Sequence, residues 1–114
     1  MQNAEFVKVA NREDIPPDTI KPVMVGTHEV ALCRDGNTFY ALENRCSHKD
    51  RPLNDGCIVD EQLECPWHGA RFDLKTGDAT FLPAVIGVPT FEVELRGDEV
   101  WVCSTPRLPA KRNT

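Results

Sequence analysis

Four residues in two short segments could do chemistry together: Cys46 and His48 in Cys46-Ser47-His48, and Cys65 and His68 in Cys65-Pro66-Trp67-His68. Sixteen residues, Lys49 to Glu64, separate the two segments. Each segment offers one thiolate and one imidazole, a donor set suited to a soft or borderline metal centre. Zinc accepts two Cys and two His, but zinc fingers of that type place Cys with Cys and His with His. Here each segment carries one of each, so a zinc-bound structural module is the weaker reading. An iron–sulfur centre held by four thiolates does not fit the donor set either. A Cys and a His separated by one or two residues reach neighbouring atoms of one centre only from a tight turn. Pro66 and Gly69 suit such a turn, and Gly56 is expected to form another where the first segment leaves the site. Thiolates and sulfides buried there need N–H donors, and the main-chain amides of 47–49 and 67–69 are the expected suppliers.

Taken with Leu53, Gly56 and the run Cys65-Pro66-Trp67-His68-Gly69-Ala70-Arg71-Phe72-Asp73, the two segments resemble the cluster-binding loops of Rieske proteins. In those proteins two His replace two Cys on one iron of a [2Fe–2S] cluster. The resemblance is specific over residues 42–83, and the flanks agree only in their β character. It implies one cluster per chain, with Cys46 and Cys65 on the inner iron and His48 and His68 on the outer one through Nδ1. It also implies that the added electron settles on the His-bound iron, that partners dock around His48 and His68, and that reduction makes these imidazoles more basic. Pro83 would belong to a third loop covering the cluster. Trp67 is expected to pack beside it and exclude water.

The differences from respiratory Rieske proteins also bear on function. Those carry an additional Cys in each loop, joined as a disulfide, where this chain has Lys49-Asp50-Arg51 and Trp67. They also set a Ser and a Tyr hydroxyl against the cluster, where this chain has Ala70 and Phe72. Fewer donors to sulfur stabilise the reduced form less, so a potential near the bottom of the Rieske range is expected, roughly −150 mV. The resemblance therefore implies a soluble ferredoxin, passing one electron from an NAD(P)H-dependent reductase to the terminal oxygenase of an aromatic-ring-hydroxylating dioxygenase system. The alternative is the Rieske-like small subunit of NADH-dependent nitrite reductase. Catalysis by the chain itself is not expected. Its His residues are His28, His48 and His68, so nothing beyond residue 83 supplies the two-His, one-carboxylate set of a mononuclear iron. There is no Gly-rich nucleotide fingerprint, so the nicotinamide must act on a partner.

The 114 residues suffice for one domain, expected over 1–103, with a modest core. Eighteen Asp and Glu outnumber 13 Lys and Arg. This balance argues against a nucleic-acid partner and fits transient docking on a basic surface. No stretch is apolar enough for a membrane span, and the first residues lack the pattern of a signal peptide, so a cytoplasmic location is expected. Cys33 and Cys103 lie in apolar contexts and read as buried thiols, Cys57 as a structural thiol, and His28 as an exposed strand-edge residue.

The elements that must position the four ligands read as short strands punctuated by Gly, Pro, Asn and Asp. Strands are expected at 6–9, 21–25, 27–33, 38–42, 57–59, 62–65, 70–73, 91–95 and 99–103, with one helical turn possible in the loop 11–18. Asp35-Gly36 is a hairpin signal. No segment has helical periodicity. The fold class is all-β, an antiparallel sandwich or partly open barrel, with a cluster-binding subdomain inserted over about 42–83. A frayed, flexible tail is expected over 104–114.

Overall fold

Val30-Ala31-Leu32-Cys33 is an unbroken apolar run, and all four residues are fully buried. Successive strand side chains point to opposite faces, so such a run suits a strand covered on both sides. The computed structural model describes residues 5–45, 52–66, 69–81 and 87–108. There the run lies in β3 (His28–Asp35), which pairs with β2 (Thr19–Val25) and β4 (Thr38–Glu43). The sheet is completed by β9 (Thr90–Phe91) in the order β2-β3-β4-β9.

A second sheet packs on one face: β1 (Phe6–Asn11), β11 (Glu99–Cys103) and β10 (Val93–Arg96), in that order. Between the two lie Val30, Leu32, Phe39, Ala41 and Phe91, facing Ala10, Val100 and Val102. The opposite face of the central sheet contributes Ala31, Cys33 and Leu42 to a separate core with Leu53, Leu63, Phe72 and Leu74. These last residues belong to a third sheet and its approach: β5 (Cys57–Val59), β6 (Gln62–Glu64), β7 (Arg71–Asp73) and β8 (Ala79–Phe81). Full burial of each large aliphatic or aromatic side chain contributes about 1.5–3 kcal/mol. All strand pairs are antiparallel. The first two sheets form an open sandwich, so the all-β expectation holds. The third sheet lies wholly within the chain between β4 and β9, which pair directly through Ala41–Phe91 and Leu42–Thr90.

At one end of β3, Arg34 fastens the loop 11–18. Its Nη1 donates to the carbonyls of Arg12 (3.3 Å) and Ile15 (2.9 Å), its Nε donates to the Gly36 carbonyl (2.9 Å), and its guanidinium lies over Phe39. The expected helical turn is present at Arg12–Asp14.

Several expectations need correction. The strand expected over 91–95 is divided at exposed Glu92, because β9 pairs with β4 whereas β10 pairs with β11 in the other sheet. Strand β8 (Ala79–Phe81) was not among the expected strands. The tail expected to fray from 104 is fastened as far as Arg107. Ser104 N–H donates to the Glu5 carbonyl (2.8 Å), and Arg107 and Thr90 exchange two main-chain bonds of 2.7 and 2.9 Å. Residues 109–114 lie outside the described residues. His28 is half-buried rather than exposed, with its ring 5.3 Å from that of Phe91.

The β5–β6 turn carried no sequence signal. Asp60 and Glu61 occupy it with φ of 51° and 62°, the left-handed region that two-residue hairpins require and that Asn-Gly fills at lower cost. Replacing the pair by Asn-Gly is expected to raise stability by about 1 kcal/mol, read as a higher denaturant midpoint with unchanged slope. A lower midpoint would show that the two acidic side chains offset the backbone strain.

Candidate metal centre

Cys65 follows β6 directly. Its N–H donates to the Ala70 carbonyl (2.7 Å), which closes a loop from Pro66 to Gly69 over the end of the β6–β7 hairpin. Gly69 takes φ +75°, a conformation glycine adopts without strain, so the tight turn expected there is present. Beneath the loop, Arg71 Nε lies 2.9 Å from Glu64 Oε1, with both side chains mostly shielded, and braces the hairpin. Cys65, Ala70 and Phe72 are fully buried and share one apolar cluster with Leu53.

The first ligand segment is bounded by the end of β4 and the short 3-10 turn Leu53–Asp55. Asn44 N–H donates to the Glu29 carbonyl (2.9 Å), and Asn44 Oδ1 accepts from Asn54 N–H (2.8 Å). The two sides of the segment are thereby tied together.

The turn expected at Gly56 is present, its N–H donating to the Leu53 carbonyl (2.9 Å), but the need for glycine there is a different one. Its backbone is extended (φ −84°), which any residue adopts, but a Cβ there would overlap the Glu64 carbonyl. Glycine is required for the close approach of two backbones, not for a turn. That approach sets the exit of the first segment against the end of β6, next to Cys65.

Of the four expected ligands the structure therefore places Cys65. Cys46, His48 and His68 lie outside the described residues, as do Trp67, Lys49, Asp50, Arg51 and Pro83. Among the described residues no group of three or more His, Cys, Asp or Glu is placed to hold a metal.

What is described fits an iron–sulfur group. A thiol sits at the tip of a braced hairpin in an apolar, water-excluding setting, with the first segment's exit held alongside. The side chains at the positions expected for hydroxyl donors, Ala70 and Phe72, carry none. The remaining thiols are dispersed. Cys33 is buried in β3, and burial pushes its thiol far above the ordinary range; Cys103 is also buried, and Cys57 is exposed rather than packed. None of these three is in a disulfide.

Residues 5–92 match the profile of the Rieske [2Fe-2S] domain. The chain belongs to the Rieske [2Fe–2S] family. It is 36% identical over 97 residues to the ferredoxin component of biphenyl 2,3-dioxygenase from Rhodococcus jostii, covering 85% of this chain and 91% of that protein. Its fold is similar to the ferredoxin of carbazole 1,9a-dioxygenase from Nocardioides aromaticivorans, with a TM-score of 0.81 and 37% identity, covering 85% of this chain and 95% of that one. It is similar also to a chain in a complex of reduced oxygenase and oxidized ferredoxin of carbazole 1,9a-dioxygenase, with a TM-score of 0.83 and 36% identity, covering 90% and 96% of the two chains. This Rieske chain is accordingly an electron carrier with a Rieske-type cluster, not a catalyst.

Asn44, Glu29 and Asn54 were missed in the sequence. The one available signal was the position of Asn44, two residues before Cys46.

Gly56→Ala is expected to destabilise the protein by about 1–3 kcal/mol, because the added methyl must displace main chain rather than a side chain. Thermal unfolding and bound iron per chain should fall together. A variant with wild-type melting and iron content would show that the Gly56–Glu64 approach is not required.

Proposed function

We propose that this chain carries one electron at a time from an NAD(P)H-dependent reductase to the terminal oxygenase of a ring-hydroxylating dioxygenase system. In this reading Cys46 and Cys65 hold one iron and His48 and His68 the other. The observation that carries it is the buried Cys65 hairpin held against the exit of the first ligand segment by the Gly56–Glu64 approach. The similarity to a chain in a complex of reduced oxygenase and oxidized ferredoxin supports an oxygenase as the electron acceptor. A bound [2Fe–2S] group of this type accepts and returns a single electron.

The protein's own task is to exclude water around the inner ligands and to present the outer ones to a partner. The burial of Cys65, Ala70 and Phe72 serves the first part. For the second, docking is assigned to the surface around His48 and His68. The excess of acidic residues suits a partner with a basic face, where charge accelerates encounter more than it deepens affinity. No helix among the described residues is long and apolar enough to cross a membrane, and we place the carrier in the cytoplasm with its partners.

Dithionite-reduced protein is expected to give a rhombic EPR spectrum, with iron and sulfide in equal amounts. The midpoint potential should lie near the bottom of the Rieske range, roughly −150 mV. A silent spectrum with stoichiometric zinc would remove the electron-transfer reading. A potential above about +100 mV would contradict the low-potential reading built on Ala70 and Phe72. His48→Cys should lower the potential if the cluster assembles, and an unchanged potential with an intact cluster would show that His48 is not a ligand.

A further inference from the structure

Only two polar side chains are buried among the described residues, Asn44 and Thr90. Thr90 lies where β9 pairs through its main chain with Arg107, away from the expected ligand segments. The surroundings of Asn44 are more specific. Its Nδ2 donates to Asn54 Oδ1 (2.7 Å) and to Glu29 Oε2 (3.1 Å), its Oδ1 accepts from Asn54 N–H (2.8 Å), and its own N–H donates to the Glu29 carbonyl (2.9 Å). The orientation of the carboxamide follows from these partners, because Asn54 N–H can only donate and the Glu29 carboxylate can only accept. Asn44 thus joins three pieces of chain: the end of β4, the start of β3, and the 3-10 turn that leaves the first ligand segment. A buried polar group is costly unless it is fully hydrogen-bonded, and an apolar residue would fill the same space without that requirement. The geometry therefore specifies more than packing does.

We infer that Asn44 is a positioning residue of the metal centre. It fastens the entrance and the exit of the segment carrying Cys46 and His48 to each other and to the rigid central sheet, and so fixes the span from which those ligands act. The inference rests on the ligand assignment made under the proposed function. Asn44 touches no ligand that the structure describes; it acts through the main chain on either side of them. Neighbours that orient metal ligands change metal affinity by about 10–100-fold when removed. A residue acting one step further out should lie at the lower end of that range.

The test uses cluster-loaded protein and follows iron release to a chelator, the EPR line shape and the melting temperature. Asn44→Ala should release iron roughly tenfold faster than wild type and broaden the EPR signal, as ligand geometry becomes heterogeneous. The control is Arg34→Ala, which breaks a comparable network five residues further along β3 from Glu29, roughly 17 Å away. It should lower the melting temperature while leaving release and line shape unchanged.

A reciprocal pair covers the case in which Asn44→Ala fails to fold. Asn44→Asp sets a carboxylate against Glu29 and should speed release. Adding Glu29→Gln supplies the missing donor and should restore most of the loss. Release from Asn44→Ala no faster than from Arg34→Ala, or no recovery in the paired variant, overturns the inference. Cys46→Ser, which leaves the Asn44 contacts in place, separates this inference from the ligand assignment. A normal cluster in that variant would defeat the assignment, whatever the Asn44 variants do.

Discussion

The direct pairing of β4 with β9 is the constraint on which the rest of the structure depends. Ala41 opposes Phe91 and Leu42 opposes Thr90, so everything between these strands must leave the sheet and return to adjacent positions. Both ends of the excursion are anchored in buried residues. Ala41 and Phe91 face the sandwich core, whereas Leu42 faces the core shared with the third sheet. The part of the chain with the four expected ligands is therefore suspended from a sheet covered on both faces. Its position cannot shift without exposing apolar area on one side or the other, at about 25 cal/mol per Å².

The flanks of the two expected ligand segments are held differently. The Cys65 loop is closed by its own strand pair, since the Cys65–Ala70 bond continues the β6–β7 ladder. The first segment is flanked by β4 on one side and by a 3-10 turn on the other. At these flanks a side-chain network and a close backbone contact hold the chain, through Asn44 and Gly56.

Much of this was legible in the sequence. The Asp35-Gly36 hairpin, the run at 30–33 and the turn residues Pro66 and Gly69 each have one physical meaning, and the structure uses it. The expected ligand residues stood out because thiolate and imidazole alternate within each segment, a pattern with few uses other than metal binding. What escaped depended on contacts distant in sequence. Glu92 divides two strands because its neighbours pair in different sheets. Arg107 is fixed by Thr90. The role of Gly56 is set by a carbonyl eight residues away, and a glycine in sequence does not reveal whether φ or proximity requires it. The Asp60-Glu61 turn was invisible for the opposite reason: neither residue favours the left-handed conformation that the hairpin imposes on it.

The third sheet is built from four strands of three residues each, at the short end of the usual range. It persists because Leu63, Phe72 and Leu74 are shared with Ala31, Cys33 and Leu42 of the central sheet. An electron carrier gains from this arrangement. A ligand at the tip of an independent, flexible hairpin would move when the charge of the centre changed, and every transfer would have to supply the energy of that motion. With Cys65 fixed to a core that the sandwich already holds in place, the protein around its thiol has little freedom to rearrange. Metal binding and folding of the inserted sheet then stabilise each other, while the sandwich rests on apolar packing of its own.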